Sequence, residues 1–320
     1  MDIQYLLFLQ EFRNNIQDAL TPFLENLSFI AISYLLMAPV FVYWAVDKKK
    51  GLYSLVSFYL SNAVNSLVKL TACIYRPWIR DPRIIPAGDA ITTATGYSFP
   101  SGHSVIATSI YGGIAVIARK GLKWISVIAI ILLALTGFSR NYLGVHTPQD
   151  VIVGVTEGIV ILFVVSLIFK YLEKHPEKEN IFLLISFIVG WCGILYITFK
   201  GYPMDYVDGE LLVDPQKMMK DGYWDLASLI TFPVARLIER KWIRFEPTGL
   251  HAKGLIICAI GMVPLWAIIM YLRPVMDGAL GIHWGHFMHS VILVMYSVAV
   301  FPAVIKAVQK RSSGIKINED

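Results

Sequence analysis

Long apolar stretches separated by short polar turns dominate the chain. Most of them approach the roughly 20 apolar residues that a helix needs to cross the hydrocarbon core of a bilayer. The pattern therefore predicts an all-α, polytopic transmembrane helical bundle of about nine spans, with Asp225, Pro233 and Arg236 interrupting the seventh. The predicted spans cover residues 26–46, 52–74, 103–118, 122–139, 150–169, 181–199, 223–239, 254–272 and 287–305.

The basic residues predict how these spans are oriented. Nine spans place five basic groups on one side, namely Lys48–Lys50, Arg119–Lys123, Lys170–Lys178, Arg240–Lys253 and Lys306–Lys316. Cytoplasmic loops carry an excess of lysine and arginine, so we expect the N-terminus outside and the C-terminus in the cytoplasm. The net charge of +5 is then a consequence of topology, and no nucleic-acid partner is expected.

Three regions follow from this layout. Residues 1–25 are predicted to form an N-terminal interfacial helix, because their apolar positions recur at helical spacing. Residues 26–172 carry the charged motifs described next, and residues 173–320 add further transmembrane helices. The longer connections expected on the outer side are 75–102, 140–149, 200–222 and 273–286.

The first charged motif ends the second span. Lys69 and Arg76 are seven residues apart, which places them on nearly the same face of a helix. Lys69 lies in the last apolar turns, where a charge is costly without a partner. A lysine that extends its amine to the interface is an equally good explanation of this position taken alone.

The second motif precedes the third span and reads Pro100-Ser101-Gly102-His103. Gly102 permits close approach to the backbone, and a helix that starts here directs free amide groups outward. Such a helix start suits an anion. Without His103, the same residues describe an ordinary turn before a capped helix.

The third motif runs from Ser139 to Asp150. Thr147 and Pro148 suit the N-cap and first position of a helix, and an acid at Asp150 is favourable in its first turn. That helix start alone accounts for Asp150. His146 also lies four residues before Asp150, so the carboxylate is within reach to fix the imidazole tautomer.

Taken together, the motifs suit the transfer of a phosphoryl group. Lys69, Arg76 and Arg140 are cations for its oxygens, and Ser101 and Gly102 supply donors. The histidines supply a nucleophile and a proton donor, with Asp150 orienting one of them. Because the cations replace a metal and no acidic cluster accompanies them, we expect no metal and no cofactor.

In order and spacing, the motifs resemble the signature of the type 2 phosphatidic acid phosphatase superfamily of lipid phosphate phosphatases. That signature is Lys-x6-Arg-Pro, Pro-Ser-Gly-His and Ser-Arg-x5-His-x3-Asp, and each specified position is matched between residues 69 and 150. The nine-span layout resembles the glucose-6-phosphatase and sphingosine-phosphate phosphatase branches.

The resemblance implies a metal-independent membrane phosphatase that acts on a lipid phosphate monoester or pyrophosphate. His146 would be the nucleophile that becomes phosphohistidine, Asp150 would orient it, and His103 would protonate the leaving oxygen. The groups that would bind the phosphate are Lys69, Arg76, Ser101, Gly102 and Arg140. Together with the topology, the resemblance implies an active site on the outer face of the cell membrane, or a location in the endoplasmic reticulum of a eukaryote.

Two alternatives keep the same scaffold. A phosphotransferase would pass the phosphate to an acceptor alcohol, and a non-catalytic binder or transporter would use only the cations. His103, His146 and Asp150 favour catalysis over binding alone. The sequence leaves the substrate open among phosphatidic acid, phosphatidylglycerol phosphate, polyprenyl pyrophosphate, a sphingoid phosphate and a sugar phosphate. It also leaves open the organism, the oligomeric state and the role of spans six to nine.

Two further features lie outside the motifs. The connection 200–222 is acidic, with Asp205, Asp208, Glu210, Asp214 and Asp221, and it is either a solvated loop or a lid on the pocket. His283, His286 and His289 repeat every three residues. Helical spacing gathers them on one face, which suits interfacial histidines better than a metal site because no carboxylate or cysteine stands beside them in the sequence.

Overall fold

The structure is a computed structural model that describes residues 2–94, 96–207 and 209–315, so Asp208 and Lys316 lie outside the described residues. Helices account for nearly all of its regular structure. The first eight are α1 (Asp2–Asn15), α2 (Thr21–Ser33), α3 (Met37–Phe41), α4 (Lys48–Ala72), α5 (Pro77–Arg80), α6 (Ala90–Thr93), α7 (Gly102–Ala107) and α8 (Gly113–Ala118). The next eight are α9 (Lys123–Tyr142), α10 (Pro148–Lys174), α11 (Glu179–Phe199), α12 (Pro215–Ile238), α13 (Ala252–Ala267), α14 (Arg273–Leu280), α15 (Ile282–Met295) and α16 (Phe301–Ile315).

Short helical turns of other types join or extend these helices. A 3-10 turn precedes α11 at Pro176–Lys178. The π-helical turns are Val42–Val46, Thr108–Gly112, Glu239–Ile243, Ile268–Leu272 and Tyr296–Val300. A small antiparallel hairpin of β1 (Tyr206–Val207) and β2 (Glu210–Leu211) pairs Tyr206 with Leu211 between α11 and α12.

Five helical segments within the described residues are long and apolar enough to cross a membrane. They are Lys123–Tyr142, Pro148–Lys174, Pro176–Phe199, Ala252–Leu280 and Ile282–Arg311. Each reaches the length of about 20 residues that spans a hydrocarbon core. The chain is therefore an integral membrane protein, as its sequence predicted.

The remaining predicted spans are also mostly helical, although a turn at 34–36 interrupts the first and α4 ends at Ala72, two residues before the predicted end of the second. α4 and α12 have 25 and 24 residues but are more polar, because they lie at the centre of the bundle. α12 packs against α4, α11 and α15, so its polar side chains face protein rather than lipid. It continues through Pro233 without a break. Nine membrane crossings and the orientation of the termini stay predictions.

The two ends of the bundle differ in their contacts. At one end Lys48 pairs with Glu239 at 2.5 Å, and Glu246 bonds to Gln309 of α16. From Lys48 to Lys69, α4 spans about 32 Å at 1.5 Å per residue. Lys69 therefore lies at the opposite end of the bundle, together with the other two motifs.

The N-terminal region consists of two helices rather than the single predicted helix over 1–25. α1 ends at Asn15, and Gln17 and Asp18 adopt the left-handed conformation before α2 begins at Thr21. Arg13 fixes α1 to the motif end of the bundle by donating to Ile85 O at 2.8 Å and Tyr142 O at 3.3 Å. Insertion of α1 into a membrane interface stays a prediction.

Candidate active site

The three motifs meet at one end of the bundle, although up to 81 residues separate their members along the chain. Lys69 lies near the end of α4, and the second motif begins α7. Arg140 is in the last turn of α9, His146 is in the connection that follows, and Asp150 is in the first turn of α10. His103 interacts electrostatically with four of the predicted site residues, namely Lys69, Arg76, Arg140 and His146. The structure thus brings the predicted residues together.

The connection that carries His146 is held from three directions. Arg140 O accepts hydrogen bonds from the amides of Val145 and His146, both at 3.2 Å. Asn141 Nδ2 donates to His146 O at 2.9 Å. As predicted, Thr147 is the N-cap of α10 and Pro148 its first residue. His146 therefore lies in a short connection between α9 and α10 whose backbone is fixed by hydrogen bonds.

Asp150 and His146 interact mainly through a residue that the sequence reasoning missed. Ser98 Oγ donates to Asp150 Oδ2 at 2.6 Å and lies 3.4 Å from His146 Nδ1. The direct distance from His146 Nδ1 to Asp150 Oδ2 is 3.5 Å. Asp150 Oδ2 also accepts from the Thr147 amide at 2.8 Å, which completes a capping box. No local pattern links Ser98 to a position 52 residues later.

The other nitrogen of His146 faces a cation. Arg76 Nη1 lies 2.7 Å from His146 Nε2, and since arginine only donates, Nε2 accepts. The proton of a neutral ring is then on Nδ1, directed at Ser98 and Asp150. Burial and the neighbouring charge of Arg76 hold the pKa of His146 well below its usual range. The imidazole is thus neutral near neutral pH, with a nucleophilic lone pair on the side of the cations.

Backbone carbonyl groups hold Arg76 in place. Its Nε donates to Gly96 O at 3.1 Å, and its Nη1 donates to Val145 O at 3.0 Å. Burial lowers the pKa of this guanidinium to about 10, so it stays charged at neutral pH. A fixed guanidinium beside the lone pair of His146 suits an anion that bridges the two groups.

Arg140 is the most unusual group at the site. Its side chain is fully buried, yet its three guanidinium nitrogens have no hydrogen-bond partner among the described residues. His103 Nε2 is likewise buried and has no partner in the described part of the chain. A buried charge without hydrogen bonds is costly and is uncommon in native proteins. The donor set fits an oxyanion that accepts from these nitrogens.

The turn before α7 lies against the start of α10. Lys69 Nζ donates to Pro100 O at 2.6 Å, and the Ser101 amide donates to Asp150 O at 3.0 Å. Ser101 is the N-cap of α7, and its amide, which was predicted to serve a phosphate, is used within the protein. At Gly102 the nearest atom to an added Cβ would be Asn65 Oδ1 at 3.6 Å, an ordinary contact, so a side chain would meet no steric conflict with the described residues there.

Two glycines of α10, which the sequence reasoning also missed, allow this close packing. A Cβ at Gly154 would lie 2.8 Å from Ser101 O, and one at Gly158 would lie 2.6 Å from Thr108 Cβ. Their spacing of four residues is the signal that small residues give where membrane helices approach closely. They set the distance between the second and third motifs.

The histidines of α15 do not form a metal site. His286 pairs with Asp277 at 2.9 Å, so a carboxylate does accompany them, contrary to the sequence-based view. His283 and His289 contact the carbonyls of Gln216 and Ile268 instead, at 2.6 and 2.9 Å. Across the described ranges, no three His, Cys, Asp or Glu side chains are placed to hold a metal ion.

One apolar cavity lies far from this site. It has a volume of about 480 Å³ and lies toward the Lys48 end, between α4, α10, α11 and α12. Its walls are mostly apolar, with Leu52, Phe169 and Phe232 among them, and none of the predicted site residues lines it. The chemistry-bearing groups are instead packed closely at the other end of the bundle.

Comparisons with known proteins agree with the motifs. A family model described as the PAP2 superfamily matches residues 50–174. Phosphatidylglycerophosphatase B from Bacillus subtilis is 31% identical over 135 residues, which are 40% of this chain and 62% of that protein. An undecaprenyl-diphosphatase from Sulfolobus acidocaldarius is 31% identical over 116 residues, 36% of this chain and 53% of that protein.

A third relative is matched over more of its length. Undecaprenyl-diphosphatase BcrC from Bacillus subtilis is 30% identical over 154 residues, which are 47% of this chain and 74% of that protein. The first two relatives are matched over 62% and 53% of their length. No solved structure matches the chain significantly.

Proposed function

The chain belongs to the PAP2 superfamily, and on this premise we propose that it is a membrane phosphatase that hydrolyses a lipid phosphate monoester or pyrophosphate through a phosphohistidine at His146. The proposal rests on one observation above all. The fully buried guanidinium of Arg140 has no hydrogen-bond partner among the described residues and lies within electrostatic range of His103. A phosphoryl group would satisfy Arg140 while it meets the lone pair of His146.

In the first step, His146 Nε2 attacks phosphorus and the bond from phosphorus to the lipid oxygen breaks. Arg76 would transfer its contact from His146 Nε2 to a phosphate oxygen, which frees the lone pair. His103 gives its proton to the leaving oxygen, so that the lipid departs as an alcohol. Lys69, Arg76 and Arg140 stabilise the charge on the transferring group.

In the second step, His103 takes a proton from water, and the resulting hydroxide attacks the phosphohistidine. The bond from phosphorus to His146 Nε2 breaks, and inorganic phosphate is released. Through Ser98, Asp150 keeps the proton of His146 on Nδ1, so Nε2 regains its lone pair for the next cycle. His103 is without its proton between the two steps, and only the complete cycle returns both imidazoles to their starting protonation.

The lipid nature of the substrate is supported by two observations. The site lies at one end of a bundle in which five segments of the described residues are long and apolar enough to cross a membrane, so a lipid head group would be close to it. The relatives named above are a phosphatidylglycerophosphatase and two undecaprenyl-diphosphatases, whose names specify phosphorylated lipids. A phosphorylated lipid of one of these two kinds is the substrate class that we propose.

The predicted topology completes the proposal. Nine crossings place the site end and α1 on the non-cytoplasmic face and Lys48 on the cytoplasmic face. Single-cysteine variants at Lys49 and Arg83, labelled with an impermeant thiol reagent in intact cells, test this. We expect labelling at 83 and none at 49, and the opposite result would refute the orientation.

The activity itself is tested with purified protein and a panel of lipid and soluble phosphates, with a chelator present throughout. We expect phosphate release from a phosphorylated lipid and inhibition by orthovanadate, which imitates the five-coordinate transition state. Loss of activity in chelator that magnesium restores would contradict the metal-independent mechanism. Absence of phosphate release from every substrate would favour a binding protein.

A further inference from the structure

The segment between α11 and α12 reaches across the bundle to the first motif. Residues 200–207 and 209–214, together with the first turn of α12, lie outside the matched residues 50–174. Three of their side chains, from Lys200, Asp205 and Met218, contact the backbone or side chains that surround Arg76. The sequence left this connection as either a solvated loop or a lid on the pocket, and a plain solvated loop does not account for these contacts.

Lys200 holds the end of α4. Its Nζ donates to Leu70 O and lies 3.6 Å from Cys73 Sγ. The last carbonyls of a helix have no partner within it, and a lysine amine is a favourable one. Cys73 ends α4 in the left-handed conformation with φ of 50°, which a residue with a side chain adopts at a cost. Lys200 thus stabilises the turn from which the chain leads to Arg76.

Asp205 holds the residue next to Arg76. Tyr75 Oη donates to Asp205 Oδ2 at 2.5 Å. The backbone of Asp205 is fixed in turn, because its carbonyl accepts from the Leu212 amide at 2.9 Å beside the small hairpin. The direction in which the chain leaves α4 is therefore tied to the α11–α12 connection.

Met218 supports the acceptor of Arg76. Gly96 O accepts from Arg76 Nε, and Gly96 has a positive φ of 68°. A Cβ at Gly96 would lie only 1.4 Å from Met218 Sδ, so the thioether occupies the place where a side chain would be. Met218 is buried and belongs to the main apolar core. The carbonyl that orients the guanidinium is thus packed against α12.

We propose that Lys200, Asp205 and Met218 are positioning residues for Arg76, so that the C-terminal part of the chain completes the phosphate site. This inference rests on the proposed function. None of the three touches the phosphate in the arrangement described, and their effect passes through the backbone of residues 70–76 and 96. Loss of one of them should weaken phosphate binding while His146 and His103 keep their chemistry.

The test uses Lys200→Met, which keeps the chain length and removes the donor, with Lys217→Met of exposed Lys217 as the matched control. In the full-length protein we expect Lys200→Met to raise KM and the inhibition constant of orthovanadate about tenfold, the effect of roughly one charge-assisted hydrogen bond, while kcat changes less. Lys200→Arg should restore most of the affinity, and Lys217→Met should leave both constants unchanged.

A double-mutant cycle separates positioning from a general loss of structure. If Lys200 acts through Arg76, Lys200→Met should have little further effect on the vanadate constant in an Arg76→Lys background. Additive effects in the cycle, or unchanged constants in Lys200→Met, would overturn the inference. Orthovanadate binding is also measured by thermal shift, which does not require hydrolysis. Wild-type protein that binds vanadate but hydrolyses no lipid would refute the proposed function. The effect of Lys200→Met on vanadate binding would still test the inference.

Discussion

Replacement of Arg140 by methionine should change stability and activity in opposite directions. Arg140 is fully buried, and its guanidinium has neither a hydrogen bond nor an ion pair among the described residues. Arg76 lies within electrostatic range and repels it, and the attraction of Glu25 is smaller than this repulsion. Without phosphate, the wild-type protein therefore bears the cost of a buried charge that no hydrogen bond among the described residues compensates. Arg140→Met removes that charge and keeps most of the side-chain length.

The magnitudes follow from this environment. A buried charge without its partner destabilises the folded protein by about 3–5 kcal/mol, so its removal is stabilising. The smaller methionine side chain loses packing contacts, which offsets this gain by about 1–2 kcal/mol. The phosphate-free variant should thus gain about 2 kcal/mol, or roughly 4–8 °C in Tm at about 2–4 °C per kcal/mol. Two charge-assisted hydrogen bonds to phosphate contribute about 3–6 kcal/mol, so kcat/KM should fall about 10²–10⁴-fold.

The assay compares thermal unfolding in detergent with and without orthovanadate, beside kcat/KM for a lipid substrate. Vanadate at about 100 times its Kd should stabilise the wild type by about 2.7 kcal/mol and the variant much less. Arg13→Met is the matched control, because Arg13 is also buried but donates to Ile85 O and Tyr142 O. Its loss should lower Tm and leave the vanadate response in place.

The result that would refute this reasoning is a phosphate-free Arg140→Met protein that unfolds at a lower temperature than the wild type and responds equally to vanadate. Arg140 would then be a structural residue whose environment favours the charge. A stabilised variant with unchanged kcat/KM would show that Arg140 lies outside the path of the phosphate. Either outcome would remove the main support for a phosphoryl-transfer site.

Three further predictions concern the reaction centre and its support. His146→Ala should form no phosphoenzyme with any substrate. His103→Ala should retain more activity on an aryl phosphate than on a lipid phosphate, by about 10²–10⁴-fold, because only the lipid leaving group needs a proton donor. Equal losses of activity on both substrates would contradict these roles. Ser98→Ala should lower kcat roughly 10- to 100-fold, since it removes a 2.6 Å hydrogen bond to a carboxylate, and steady-state kinetics with unchanged kcat would contradict it. Gly154→Ala should lower kcat/KM about 10²-fold, because its Cβ would displace Ser101 O, while Gly121→Ala, with nothing within 4 Å, should be neutral.

Some of the site could be predicted because local rules reach it. His146 and Asp150 lie four residues apart across a helix start that Thr147 and Pro148 mark, and the structure has that start where the sequence indicated it. The helices themselves follow from runs of apolar residues. Two predicted spans, those in α4 and α12, are more polar than the others for a reason that composition does not reveal, namely that these helices are surrounded by other helices.

Other parts of the site depend on packing between distant segments. Ser98 meets Asp150 across 52 residues, and Lys200 meets Leu70 across 130 residues. Neither contact can be recognised from a periodic pattern in the sequence, because each depends on how separate helices approach one another.

By itself, the sequence determined the helical membrane class, the identity of the chemical groups and the placement of Asp150 close to His146. These properties can be recognised from the sequence because apolar runs and helix starts are local patterns of a few neighbouring residues. Only the tertiary structure decided which nitrogen of His146 faces Arg76, that Ser98 stands between His146 and Asp150, and that Arg140 is buried without a partner among the described residues. Those facts depend on distances between separate helices, and the packing of side chains and backbone across the whole bundle sets such distances.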